Sequence, residues 1–206
     1  YEIPEYGRAA KGLPIINLVQ LEKGEKVQAV VKIATNDTNK YLMFVTKYGI
    51  VKRISISEFT NIRRSGLIAL NLRENDELSN VLLTDGSQNI LIGTRLGYAV
   101  IFNENEVRTM GRVASGVRGI KLRANDYVVG SSIVDDHSEV LVLSEKGYGK
   151  RTLASEYPIK SRGCMGVKTA NVTEKNGPLV GVTVVDGSED LMLITYAGVI
   201  NGLDVD

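Results

Sequence analysis

The chain has 206 residues, 43% of them apolar, and a net charge of only +1 from 25 basic and 24 acidic side chains. It is long enough for one sizeable core, and no apolar run reaches the roughly 18 residues of a membrane helix. Its one cysteine, Cys164, excludes an internal disulfide and suits a reducing, cytoplasmic setting. The opening Tyr1-Glu2-Ile3-Pro4-Glu5 carries acids and lacks the apolar core of a secretory leader.

In chain order, the first recognisable segment is a basic phrase, Arg8-Ala9-Ala10-Lys11-Gly12-Leu13-Pro14-Ile15-Ile16-Asn17-Leu18. An apolar run, Leu42-Met43-Phe44-Val45, then enters the turn Thr46-Lys47-Tyr48-Gly49 and a second strand-like segment. Two short strands around a Gly-containing turn read as a β-hairpin. The hairpin signal recurs at Thr94-Arg95-Leu96-Gly97, Ser144-Glu145-Lys146-Gly147 and Thr195-Tyr196-Ala197-Gly198. Branched aliphatic segments, at 78–83, 128–134 and 179–185, lead into it through turns such as Asp85-Gly86-Ser87 and Asp186-Gly187-Ser188. After the hairpin comes Glu58-Phe59, Glu106-Val107 or Glu156-Tyr157, and then the basic phrase again.

Anchored on the glycine before its strand, the phrase returns at Gly12, Gly66, Gly116 and Gly166, spacings of 54, 50 and 50. A near-constant period of this size means stacked or radially arranged units. In the best-preserved unit the spacing predicts strands at about 78–84, 89–94, 98–103 and 117–122. No sustained helical periodicity is present. The expectation is an all-β, propeller-like array of four-stranded blades, with about four blade equivalents. Its units run roughly over 1–18 (partial), 27–72, 78–122, 128–172 and 179–206 (partial), all within one domain.

Nothing argues for catalysis or a metal. Gly147-Tyr148-Gly149-Lys150-Arg151-Thr152 lacks the glycine of a phosphate loop, since Ser144 stands five residues before Gly149 and Arg151 follows the lysine. His137, the only histidine, sits in an acidic turn, and no Cys/His cluster or EF-hand spacing exists. The basic loops remain, and within the four phrases there is no acid. Stacked in register, they line one rim with cations, a surface suited to a polyanion. The candidate side chains are Arg8, Lys11, Arg63, Arg64, Arg112, Arg118, Lys160 and Arg162 in the loops, with Lys52, Arg53, Lys150 and Arg151 on the hairpins' second strands. If about eight each neutralise one phosphate, log K falls against log salt with a slope of roughly −7. Without a recognition helix or an aromatic stacking platform, the expected mode is backbone binding and bending of duplex DNA, largely independent of sequence.

Four stretches resemble the carboxy-terminal domain of the bacterial DNA gyrase A protein: Arg8 to Leu18, Gly111 to Leu122, Lys146 to Thr152, and Glu156-Tyr157-Pro158 with Lys160-Ser161-Arg162. The resemblance implies a β-pinwheel, a disc whose blades exchange strands with their neighbours and around whose perimeter duplex DNA is wrapped. It implies no catalytic residue and no cofactor in this piece. The implied partners are DNA, the remainder of the gyrase A protein, and the gyrase B protein, with no membrane; the whole enzyme introduces negative supercoils at the expense of ATP. The box Gln-Arg-Arg-Gly-Gly-Lys-Gly of the family's first blade has no counterpart here, so that blade is expected to lie outside the chain. Two rival readings are the equivalent domain of topoisomerase IV and a propeller-like protein-interaction scaffold.

Overall fold

The computed structural model describes residues 4–34, 36–59, 65–194 and 200–204, the last two strands as backbone only. Arg63 and Arg64 lie outside the described residues, as does the turn 195–199. Among the described residues thirteen strands carry the fold: β1 (Tyr41–Thr46), β2 (Ile50–Ser55), β3 (Leu78–Thr84), β4 (Asn89–Thr94), β5 (Tyr98–Asn103), β6 (Val117–Arg118), β7 (Val128–Val134), β8 (Glu139–Ser144), β9 (Gly149–Leu153), β10 (Val167–Lys168), β11 (Leu179–Val185), β12 (Asp190–Ile194) and β13 (Ile200–Asp204). Helical structure among the described residues is confined to 3₁₀ turns of three or four residues.

The expected hairpins are present. β1 pairs with β2, β4 with β5, β8 with β9 and β12 with β13, all antiparallel. At the first three turns Gly49, Gly97 and Gly147 take φ of 78°, 84° and 80°, which a side chain would oppose. A second device holds the first two of these turns and has no local sequence signal. Thr46 Oγ1 donates to Asp76 Oδ2 at 2.7 Å, while Asp76 Oδ1 accepts from Tyr48 N at 3.0 Å. Thr94, Asp126 and Leu96 repeat it with the same two distances. These aspartates are consumed inside the fold.

The exchange of strands between neighbouring blades that the resemblance implies is present, and it corrects the four-stranded unit read from the spacing. Segments 78–84, 89–94, 98–103 and 117–122 are adjacent in sequence but do not form one sheet. The sheets run β3-β1-β2-β6, β10-β5-β4-β7 and β11-β8-β9, with β12-β13 apart. Each of the first three hairpins therefore takes one flanking strand from the next unit and, in the first two sheets, its other flanking strand from the basic phrase of that unit. Periodicity counts strands but does not reveal which hairpin each one joins. The fourth strand is also shorter than expected: only Val117–Arg118 pairs, with Ile50 and Val51, and residues 119–122 leave the ladder.

This exchange fixes the radial order. β7 packs against both β3 and β11, so these three strands face the centre of the array. β6 and β10 occupy the opposite, outer edge. Both faces of the middle sheet are buried. Ile90, Ile92 and Phe102 pack with Met43, Val45 and Val51 of one neighbour, while Leu91, Ala99 and Ile101 pack with Val140, Val142 and Val182 of the other. That double burial accounts for continuous apolar runs such as Ile90-Leu91-Ile92 in place of alternation. Where the second and third sheets meet, a Cβ on Gly130 would lie 1.9 Å from the Val182 carbonyl oxygen.

Candidate nucleic-acid interface

The basic loops are built the same way at two successive junctions. After a hairpin the chain makes a 3₁₀ turn, at Glu104–Glu106 or Ala154–Glu156, then buries Val107 or Tyr157. It crosses to the outer edge of the preceding sheet, where Thr109 bridges Arg53 and Ile159 bridges Ile101. It bulges outward and returns at Gly116 or Gly166, with φ of 87° and 71°. A Cβ there would stand 2.5 Å from the carbonyl oxygen of Val51 or Ala99, so backbone contact as well as φ demands glycine. The exchange strand follows, and the turn glycine of the older hairpin caps it: Gly119 N donates to Gly49 O, and Thr169 N to Gly97 O, each at 2.8 Å.

Neighbouring loops touch one another. Asn71 Nδ2 donates to Val113 O at 2.6 Å, and the Arg123 guanidinium donates to Met165 O at 2.8 Å. Lys121 N donates to Cys164 O at 2.8 Å, and an Arg162 guanidinium nitrogen donates to Arg118 O at 3.2 Å. The stretches 65–72, 111–122 and 160–172 are thus continuous along the outer edge. Residues 4–30 make only local hydrogen bonds among the described residues, so Arg8 and Lys11 are exposed but not tied to this edge.

The candidate cations divide by environment. Arg118, Lys150 and Lys160 are exposed and Arg112 is half-buried, and none of the four makes an ion pair among the described residues. Arg151 is paired with Glu139 at 2.9 Å. Arg162 is spent on structure: its Nε donates to Glu106 O at 2.8 Å, and its backbone N to the Glu106 carboxylate at 2.9 Å.

Lys52 and Arg53 are corrections. Lys52 is 0% exposed and its Nζ donates to Ala69 O at 2.7 Å and to Arg112 O. Burial pushes its ammonium below the usual lysine range. Arg53 is buried, 3.4 Å from the Glu104 carboxylate, 3.0 Å from Asn105 Oδ1, and stacked on the Tyr41 ring. Neither can reach a phosphate, because loops folding over β2 remove both from solvent. Sequence reasoning also passed over Arg123, whose guanidinium stacks 3.3 Å from the Tyr98 ring centroid. Its place just after the exchange strand was the available signal. No group of His, Cys, Asp and Glu among the described residues could hold a metal ion.

The geometry defines a class: an open, propeller-like array of strand-exchanged sheets with a basic outer edge. The chain belongs to the family described as DNA gyrase C-terminal domain, beta-propeller, whose profile matches residues 1–34, 40–85, 88–135 and 138–186. It is 50% identical over its whole length to the DNA gyrase A protein of Staphylococcus epidermidis and 46% identical to that of Staphylococcus aureus. It spans 23% of the length of these relatives. Among solved structures, the C-terminal domain of a DNA topoisomerase IV superposes with a TM-score of 0.88 at 28% identity, covering 94% of this chain and 61% of the other. A DNA gyrase A C-terminal domain gives 0.80 at 25%, covering 94% and 65%.

Proposed function

We propose that this domain is a non-catalytic module that binds duplex DNA along its outer edge and bends it. Within a gyrase it would work with the remainder of the A protein and with the B protein, in the cytoplasm, to support ATP-dependent negative supercoiling by the whole enzyme. The observation that carries the reading is the continuity of acid-poor basic loops along the one edge that strand exchange leaves outermost. Family membership supports it independently. Arg112, Arg118 and Lys160 are the contacts favoured by geometry, with Lys150, Arg8 and Lys11 contributing; Arg63 and Arg64 belong to the proposal from sequence alone. Contacts of this kind meet phosphates and carry little base information. Bending is repaid by the additional phosphates a curved duplex brings within reach of the edge.

Ligase closure of a nicked plasmid in the presence of the chain tests this. Wrapping with a defined hand shifts the linking-number distribution in one direction as protein is added. A protein-interaction scaffold neither binds the plasmid nor moves the distribution, and that outcome overturns the proposal. The higher superposition score with a topoisomerase IV domain keeps that enzyme's equivalent domain as a second reading. It predicts binding with a smaller or absent shift.

A further inference from the structure

Two successive loop junctions are tied by different side chains, and the difference decides which rim arginine is engaged with backbone. At the junction between 106–122 and 160–166, beside the Lys121–Cys164 and Arg123–Met165 hydrogen bonds, the rim residue Arg162 supplies a side-chain tie of its own. Its guanidinium donates to two backbone carbonyls, those of Glu106 and Arg118. At the junction between 65–72 and 111–116, the equivalent rim residue is Arg112, fifty positions earlier. Its side chain makes no hydrogen bond among the described residues; instead its carbonyl accepts one from Lys52.

Lys52 sits opposite Phe44 on β2, and Val100 sits opposite Ile92 on β5. Where the strand supplies a lysine, an ammonium from beneath ties the loops. Where it supplies a valine, nothing rises from the strand and the rim arginine turns inward. Lys52 makes no ion pair among the described residues, and a buried ammonium is costly unless its donors are satisfied. Here two carbonyls, from loops 17 and 60 residues away, satisfy two of the three donors.

We infer that Lys52 is a positioning residue for the DNA-binding edge: it holds two adjacent basic loops in register from inside and thereby leaves the Arg112 guanidinium free for phosphate. The inference rests on the proposed DNA-binding function, but its first arm does not require DNA. In the DNA-free full chain, Lys52→Met is expected to speed amide hydrogen exchange at 111–116 at least tenfold while β7 amides keep their rates. The same variant is expected to weaken binding to a short mixed-sequence duplex at least fivefold, although no exposed charge is removed. A folded variant with native loop exchange and native affinity overturns the inference. If Lys52→Met does not fold, the arginines decide. Arg112→Gln is expected to flatten the plot of log K against log salt by about 0.9, the loss of one phosphate contact, whereas Arg162→Gln leaves the slope unchanged. Equal flattening in both overturns the inference. A wild-type chain that shows no salt-dependent binding instead sinks the DNA-binding reading itself, and the exchange experiment still reports on the tie.

Discussion

Arg118→Gln is the most direct test of the outer edge. The side chain leaves the exchange strand, is exposed, and makes no ion pair among the described residues. Its internal contacts are through the backbone, which pairs with Ile50 in the ladder and accepts from Arg162 at the carbonyl. The substitution should therefore leave the fold untouched. The magnitude follows from the census of available cations. Of twelve candidates, Lys52 and Arg53 are buried, Arg151 is paired and Arg162 is tied to backbone. Arg63 and Arg64 are outside the described residues. Arg8, Lys11, Arg112, Arg118, Lys150 and Lys160 remain. At about 0.9 counterion per neutralised phosphate, these give a slope of log K against log salt near −5, steepening toward −7 if Arg63 and Arg64 also engage. Tripling the salt would lower affinity by a factor of roughly a few hundred at the shallower value. Arg118→Gln should flatten the slope by about 0.9 and weaken binding to unrelated sequences alike. Fluorescence anisotropy with two duplexes of different sequence, at four or five salt concentrations, measures both quantities. An unchanged slope, or a loss confined to one duplex, would refute backbone recognition at this residue.

Three further expectations concern the scaffold. Glu104 is fully buried and accepts from Thr84 Oγ1 at 2.6 Å and from Gly86 N and Gln88 N at 2.9 Å, besides facing Arg53; Glu104→Ala leaves the arginine charge buried and unpaired and should cost about 3–5 kcal/mol in urea unfolding. Gly130→Ala forces a methyl against the Val182 carbonyl and should lower the melting temperature by about 4–8 °C, from roughly 2 kcal/mol of strain. Gly181→Ala, with nothing within 4 Å of its Cβ, is the control and should be near neutral. The Asp85, Asp135 and Asp186 carboxyls are held below their ordinary 3.8, chiefly by the hydroxyls of Ser87, Ser138 and Ser188. Their contribution is fully present above the unfolded value and is lost as pH falls through the lower folded values. Melting temperature should accordingly be flat in this respect above about pH 5 and drop below about pH 4, and Asp135→Asn should shrink that drop. A native-sized acid step in the variant would remove Asp135 from the account.

Much of the architecture was legible because it is encoded over short distances. A glycine at 49, 97 or 147 just after an apolar run and its polar turn specifies a hairpin locally, and the four hairpins fell where that signal put them. The basic phrase was legible for the same reason, and so was its return near every fiftieth residue. The Thr46–Asp76 and Thr94–Asp126 pairs were not, since thirty or so residues separate partners that are individually unremarkable.

The two Lys-Arg pairs show where local reading ends. Lys52-Arg53 and Lys150-Arg151 are the same dipeptide on the second strands of equivalent hairpins, paired with Phe44-Met43 and Val142-Leu141. One pair is interior and the other exposed. The sequence alone determined the β class, the hairpins, the period and the acid-free basic loops, because turn chemistry and strand patterning act between near neighbours. Only the tertiary structure decided which sheet each strand joined, which cations faced solvent and which were consumed holding loops together. Those outcomes depend on segments 17 to 60 residues away folding over a strand, and no local pattern records that cover.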